Sequence, residues 1–208
     1  MNSFDILGYH MVNQYAGHHP FIDKLFGFLA QYSLELYFVL FIIAWLTLPK
    51  CEIRKRHALV IMGLAGALGL IINVMVSHIY FRPRPFMVLR KGTFTQLIPH
   101  SADASFPSDH TTGSFGFAAA SWGKAPKWIT ITFTVLAVLN AIARVYVGVH
   151  WPTDVIAGII IGMLSGRLLW KFSALFQPIT DLGLRMFHYG CGEDDPLKRI
   201  KDFKIKEN

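Results

Sequence analysis

The chain has 208 residues, 53% of them hydrophobic and 16% charged, with a net charge of +7, whereas a soluble domain carries roughly a quarter charged residues. This composition points to a membrane protein. Nucleic acid is excluded as a partner, because the basic residues are divided among loops on both faces and no RNA- or DNA-binding motif accompanies them.

Residues 1 to 20 contain Asp5, His10, Asn13, Gln14, His18 and His19. They are too polar to span a bilayer, and an interfacial helix fits them. They also lack the basic n-region of a secretory signal, so the segment is expected to stay on the mature protein. The first apolar run extends roughly from Phe21 to Leu48 and the second from Ala58 to Phe81. Each reaches the ~20 residues that a spanning helix needs. Glu35, inside the first run, is left open between a buried hydrogen-bonding residue, a proton-relay element and the mark of a shorter span. After a polar stretch, Phe106 to Trp122 is rich in Gly, Ala and Ser. That suits a short helix packed among neighbours rather than bathed in lipid. The third and fourth long runs are Trp128 to Val147 and Val155 to Phe176, and the chain ends in a polar tail after about Gly190.

Lys50, Arg54, Lys55 and Arg56 follow the first run, Lys124 and Lys127 follow the short one, and Lys198, Arg199, Lys201, Lys204 and Lys206 close the chain. By the positive-inside rule these three segments are cytoplasmic. The opposite face receives residues 1 to 20, the 82–105 loop and the 144–152 loop, where Arg82, Arg84, Arg90, Lys91 and Arg144 stand against the trend. Cys51 and Cys191 have no CxxC partner and read as free thiols. His18, His19, His78 and His100 lack metal-ligand spacing and read as interfacial.

Three short sequences share the outer face: FRPRPF at 81–86, PSDH at 107–110 and ARVYVGVHWPTD at 143–154. The prolines hold Arg84 on an extended element. Ser108 and His110 fall near a helix start, where open N–H groups favour phosphate. Pro152 is placed to open the last span, with His150 just before it and Asp154 inside its first turn. Singly, each residue has a duller reading as a cap or headgroup contact. Together, two His, two Arg, a Ser and an Asp at one membrane face point to function. They suit metal-free phosphate ester or anhydride hydrolysis. Arginines and a helix terminus would carry the phosphoryl charge, one histidine would attack, another would protonate, and a carboxylate would orient the attacking ring.

These sequences resemble the three signature motifs of the type 2 phosphatidic acid phosphatase superfamily, through Arg84-Pro85, Pro107-Ser108 with His110, and Arg144 with His150 and Asp154. Three positions depart from the pattern: Ser77 replaces Lys, Asp109 replaces Gly, and Ala143 replaces Ser. PHSADASFPSDHTTG and ARVYVGVHWP resemble most the bacitracin-resistance branch of undecaprenyl pyrophosphate phosphatases. The resemblance implies that His150 is the nucleophile, forming a phosphohistidine, that His110 is the general acid, and that Asp154 orients His150. Arg84, Ser108 and Arg144 would hold the phosphate, with no metal or other cofactor. The implied fold class is an all-α integral membrane protein, a bundle of five to six transmembrane helices with an interfacial N-terminal helix. Residues 1–190 form the membrane-embedded phosphatase domain and 191–208 a polar cytoplasmic tail. The expected substrate is a polyprenyl pyrophosphate, cleaved on the extracytoplasmic face of a bacterial plasma membrane among its lipids. A phosphatidylglycerophosphate or phosphatidate phosphatase is the alternative enzyme, and an anionic-lipid binding or transport protein the alternative of another class. The sequence leaves oligomeric state open.

Overall fold

The computed structural model describes residues 2–190, and its regular elements among them are all helices. In chain order they are α1 (Ser3–Asn13), α2 (Pro20–Thr47), α3 (Ile53–Ile79), the single turn α4 (Pro85–Val88), α5 (Asp109–Ser121), α6 (Lys127–Tyr146), α7 (Pro152–Lys171), a 3-10 turn at Ser173–Phe176, and α8 (Gln177–Met186). Helices α2, α3, α6 and α7 are long and apolar enough to cross a membrane, and the chain is an all-α, multi-pass membrane protein. The ends differ most at α3, which begins at Ile53 rather than Ala58, and at α7, which begins at Pro152 and stops at Lys171. Arg56 explains the first difference. It is fully buried inside the helix, and its guanidinium donates to the Pro49 and Leu48 carbonyls at the end of α2. The bonds are made in place of hydration, so the charge can sit within a helix turn.

At 13 residues, α5 is ~20 Å long, short of a ~30 Å hydrocarbon core. It lies at the centre of the bundle, against α7, α3 and α6. Backbones meet closely there because small residues line the contact. A Cβ at Gly162 of α7 would come within 2.5 Å of the Thr112 carbonyl, and one at Gly116 of α5 within 2.9 Å of the Ala65 carbonyl.

Helix α1 turns its polar side inward and its apolar side outward. Asp5 and Asn13 are buried, while Phe4, Leu7 and Met11 are exposed. Asn13 donates to the Thr95 and Tyr146 carbonyls at 2.7 and 2.8 Å, which pins the helix to the C-terminal end of α6. Glu35 is exposed on α2, so its reading as a buried hydrogen-bonding residue is dropped. Cys51 is disulfide-bonded, which corrects the free-thiol reading. Isolated position and the absence of a CxxC pair do not exclude a partner distant in sequence. Cys191 and the expected tail at 191–208 lie outside the described residues.

Candidate active site

The turn from α6 into α7 brings the third motif together. Gly148 has φ +88, and a Cβ there would collide with the Thr95 carbonyl, so only glycine fits. The reversal returns the His150 N–H to the Arg144 carbonyl at 3.3 Å. Pro152 then opens α7, and Asp154 accepts the Trp151 N–H at 2.9 Å. The carboxylate therefore does cap its helix, and it also faces the site.

Nε2 of His150 lies 3.1 Å from Nη1 of Arg84 and 3.2 Å from Nη2 of Arg144. A guanidinium can only donate, so Nε2 carries the lone pair and the ring proton is on Nδ1. On that side, Asp154 Oδ2 and Ser105 Oγ each stand 3.5 Å away. This is long for a hydrogen bond. Ser105 itself donates to Asp154 Oδ2, so hydroxyl and carboxylate face Nδ1 side by side. His150 is only 2% exposed. Burial first, then the charges of Arg144 and Arg84, push its pKa well below the ordinary imidazole value. The ring is thus neutral with its electron pair held toward two cations, which suits attack on phosphorus once phosphoryl oxygens take over the guanidinium hydrogen bonds.

Arg84 is fixed by Asp103 at 2.7 Å and by the Val149 carbonyl at 2.9 Å. Arg144 donates to the Ala30 carbonyl at 2.5 Å, close to the break in α2 at Tyr32. Its buried Nε has no hydrogen-bond partner among the described residues. An unmet buried donor beside His150 is a place for an anionic oxygen. Ser108 is the N-cap of α5, and its N–H donates to the Asp154 carbonyl at 3.2 Å. This contact sets the start of α5, with its open N–H groups, beside α7. The Ser108 hydroxyl itself points to Thr111 Oγ1 at 3.0 Å. His110, in the first turn of α5, is half-buried and within electrostatic reach of Arg144, His150, His100 and Arg84.

All six expected residues therefore meet at one end of the bundle, Ser108 through its backbone. Ser77, in place of the expected lysine, donates back to the Val74 carbonyl at 2.9 Å. Asp109, in place of glycine, accepts from Asn73 at 2.9 Å.

Sequence reasoning missed a second ring of groups. Arg82 donates to Asp154 Oδ1, to Asp5 and to Thr153 Oγ1, the last at 2.6 Å. Asp5 also accepts the Thr153 N–H at 3.0 Å, which ties α1 to α7. His100, read from the sequence as interfacial, also belongs to this ring: its Nε2 meets Arg144 at 3.1 Å. The residence of Arg82 on the face poor in basic residues was the available signal for it. Asp5, Ser105, His100 and Asp103 come together only through tertiary folding.

Residues 58–177 match the PAP2 superfamily. The chain is 34% identical to undecaprenyl-diphosphatase BcrC of Bacillus subtilis over 82% of this chain and 84% of that protein. It is 31% identical to the putative undecaprenyl-diphosphatase YbjG of Escherichia coli over 77% and 80% of the two chains. Its structure is similar to the crystal structure of Aquifex aeolicus LpxE, with a TM-score of 0.67, 25% identity, and coverage of 82% of this chain and 96% of the other.

Proposed function

The chain belongs to the PAP2 superfamily, and on that premise we propose that it is an undecaprenyl-diphosphatase, hydrolysing undecaprenyl pyrophosphate to the monophosphate and inorganic phosphate. The observation that carries this reading is the pair of guanidinium groups converging on the lone pair of His150. The diphosphatase names and high coverage of the Bacillus and Escherichia relatives support the substrate.

In this mechanism Nε2 of His150 attacks the terminal phosphorus while Arg84, Arg144 and the first-turn N–H groups of α5 bear the charge on the phosphoryl oxygens. The bridging oxygen leaves with the lipid monophosphate and takes a proton from His110. Water, deprotonated by His110, then cleaves the phosphorus–nitrogen bond and releases phosphate. Asp154, with Ser105, holds the Nδ1 proton so that the lone pair stays on Nε2. No metal takes part. The reaction is placed on the extracytoplasmic face of the plasma membrane, where it recycles the lipid carrier for cell-wall synthesis.

The test is phosphate release by the purified protein in detergent from undecaprenyl pyrophosphate, phosphatidate and phosphatidylglycerophosphate. Preference for undecaprenyl pyrophosphate is expected. Preference for either glycerolipid overturns the substrate, and binding without release favours a carrier.

A further inference from the structure

His100 and Asp103 stand on the loop between α4 and α5, just beyond the groups that surround His150. One nitrogen of Arg144, Nη2, lies 3.1 Å from His100 Nε2 and 3.2 Å from His150 Nε2. The two imidazole centroids are 6.4 Å apart. A single guanidinium arm is thus shared between the attacking ring and a second ring that the mechanism leaves without a task. Asp103 Oδ1 accepts from Arg84 Nε at 2.7 Å, although the Asp103 side chain is 56% exposed. A carboxylate on a solvent-facing loop marks the outer edge of Arg84 as a position that takes anionic oxygen.

A diphosphate extends one bridging oxygen and one phosphate beyond a monophosphate and carries more negative charge. Arg84, Arg144 and the start of α5 are occupied by the phosphate under attack, and His110 by the bridging oxygen. The further cationisable side chain within electrostatic reach is His100, which faces Arg84, Arg144, Asp103, His110 and His150. We propose that His100 binds the second, lipid-linked phosphate and is the residue through which the site prefers diphosphates to monophosphates. The inference rests on phosphoryl transfer at His150, as proposed above.

The electrostatics agree. Burial first, then Arg84 and Arg144, lower the pKa of His100. The ring is therefore neutral in the free site, accepting from Arg144. The phosphate under attack draws Arg144 onto its own oxygens, and the negative charge of the second phosphate favours the protonated ring, so His100 takes a proton from solvent and becomes a donor to that second phosphate. A monophosphate brings no group to this position.

The test uses the full chain in detergent with His100→Gln and His100→Ala. Glutamine keeps an acceptor for Arg144 while removing the protonatable ring, which separates the phosphate contact from the positioning of Arg144. Thermal unfolding of both variants establishes that they are folded. In both, kcat/KM on undecaprenyl pyrophosphate is expected to fall ~10- to 100-fold more than kcat/KM on phosphatidate, the range of one hydrogen bond to a charged group. Calorimetry provides an arm independent of the lipid. Affinity for methylenediphosphonate is expected to fall relative to affinity for inorganic phosphate by a similar factor, with loss of the proton uptake that accompanies diphosphonate binding. Equal losses on both substrates and both anions, or no loss on either, overturn the proposal. If the wild-type protein does not hydrolyse undecaprenyl pyrophosphate, the proposed function fails, and the calorimetric ratio still decides the role of His100.

Discussion

The two histidines of the proposed mechanism sit in unlike surroundings. His150 has Ser105 and Asp154 behind Nδ1 and two arginines before Nε2, whereas His110 is half-buried at the start of α5. His150→Ala is expected to abolish turnover on every substrate. His110→Ala is expected to cost about 10²- to 10⁴-fold on phosphatidate, the usual scale of general acid catalysis. Its defect on undecaprenyl pyrophosphate should be smaller, because a phosphate monoester leaves more readily than an alkoxide. Parallel kcat measurements check both, and a live His150→Ala enzyme exchanges the roles. The depressed pKa of His150 has a definite sign for pH dependence. The nucleophile must be unprotonated, and a lowered pKa keeps it so in mildly acidic solution. The acid limb of kcat/KM, which reports the free enzyme, is therefore expected below the ordinary imidazole value of ~6.5. A limb at or above that value assigns the nucleophile elsewhere. Arg82 sits between two buried carboxylates, so Arg82→Gln leaves both uncompensated and should destabilise the protein by about 3–5 kcal/mol. Restoration of both stability and kcat by Arg82→Lys would show that charge at this place suffices. Motif spacing made six residues legible because each lies within a few positions of Pro, Gly or a helix start. Arg82 was visible only as a basic residue on the face poor in them, and Asp5 not at all, since its partners are Arg82 and Thr153.

Long apolar runs made the spanning helices legible, and Gly, Ala and Ser made α5 recognisable as an enclosed one. The ends were harder, because a buried cation such as Arg56 can belong to a helix when carbonyls at the end of its neighbour receive it. The last apolar run was read through to Phe176, but its final residues form the 3-10 turn at Ser173–Phe176, and α8 followed it unannounced. Gly158, Gly162 and Gly166 recur every fourth residue along α7, and at each of them an added Cβ would touch backbone at the start of α5 or along it. Gly162→Leu is expected to cost about 1–3 kcal/mol or more through overpacking, since the nearest obstacle is the Thr112 carbonyl rather than a movable side chain. Thermal unfolding in detergent checks this. A variant as stable as the parent would show that α5 and α7 do not approach as described.

At the scale of the molecule, every group proposed to act lies at one end of the bundle, and the lysine-bearing turn between α5 and α6 lies at the other. Cysteine introduced at Lys91 should react with an impermeant reagent added to intact cells, and cysteine at Lys124 should not. The reverse pattern puts the site in the cytoplasm and ends the recycling role. Activity should survive chelator, because nucleophile, acid and charge stabilisers are all assigned to side chains and backbone N–H groups of the protein itself. Loss in chelator with recovery on adding a divalent ion contradicts that assignment. The central claim is a covalent phosphohistidine at residue 150. The direct measurement is to quench the full chain with undecaprenyl pyrophosphate labelled in its terminal phosphate and to map the labelled peptide. Label on the peptide containing His150, absent from His150→Ala, is the predicted result, and label on His100 or His110, or label that persists in His150→Ala, contradicts it.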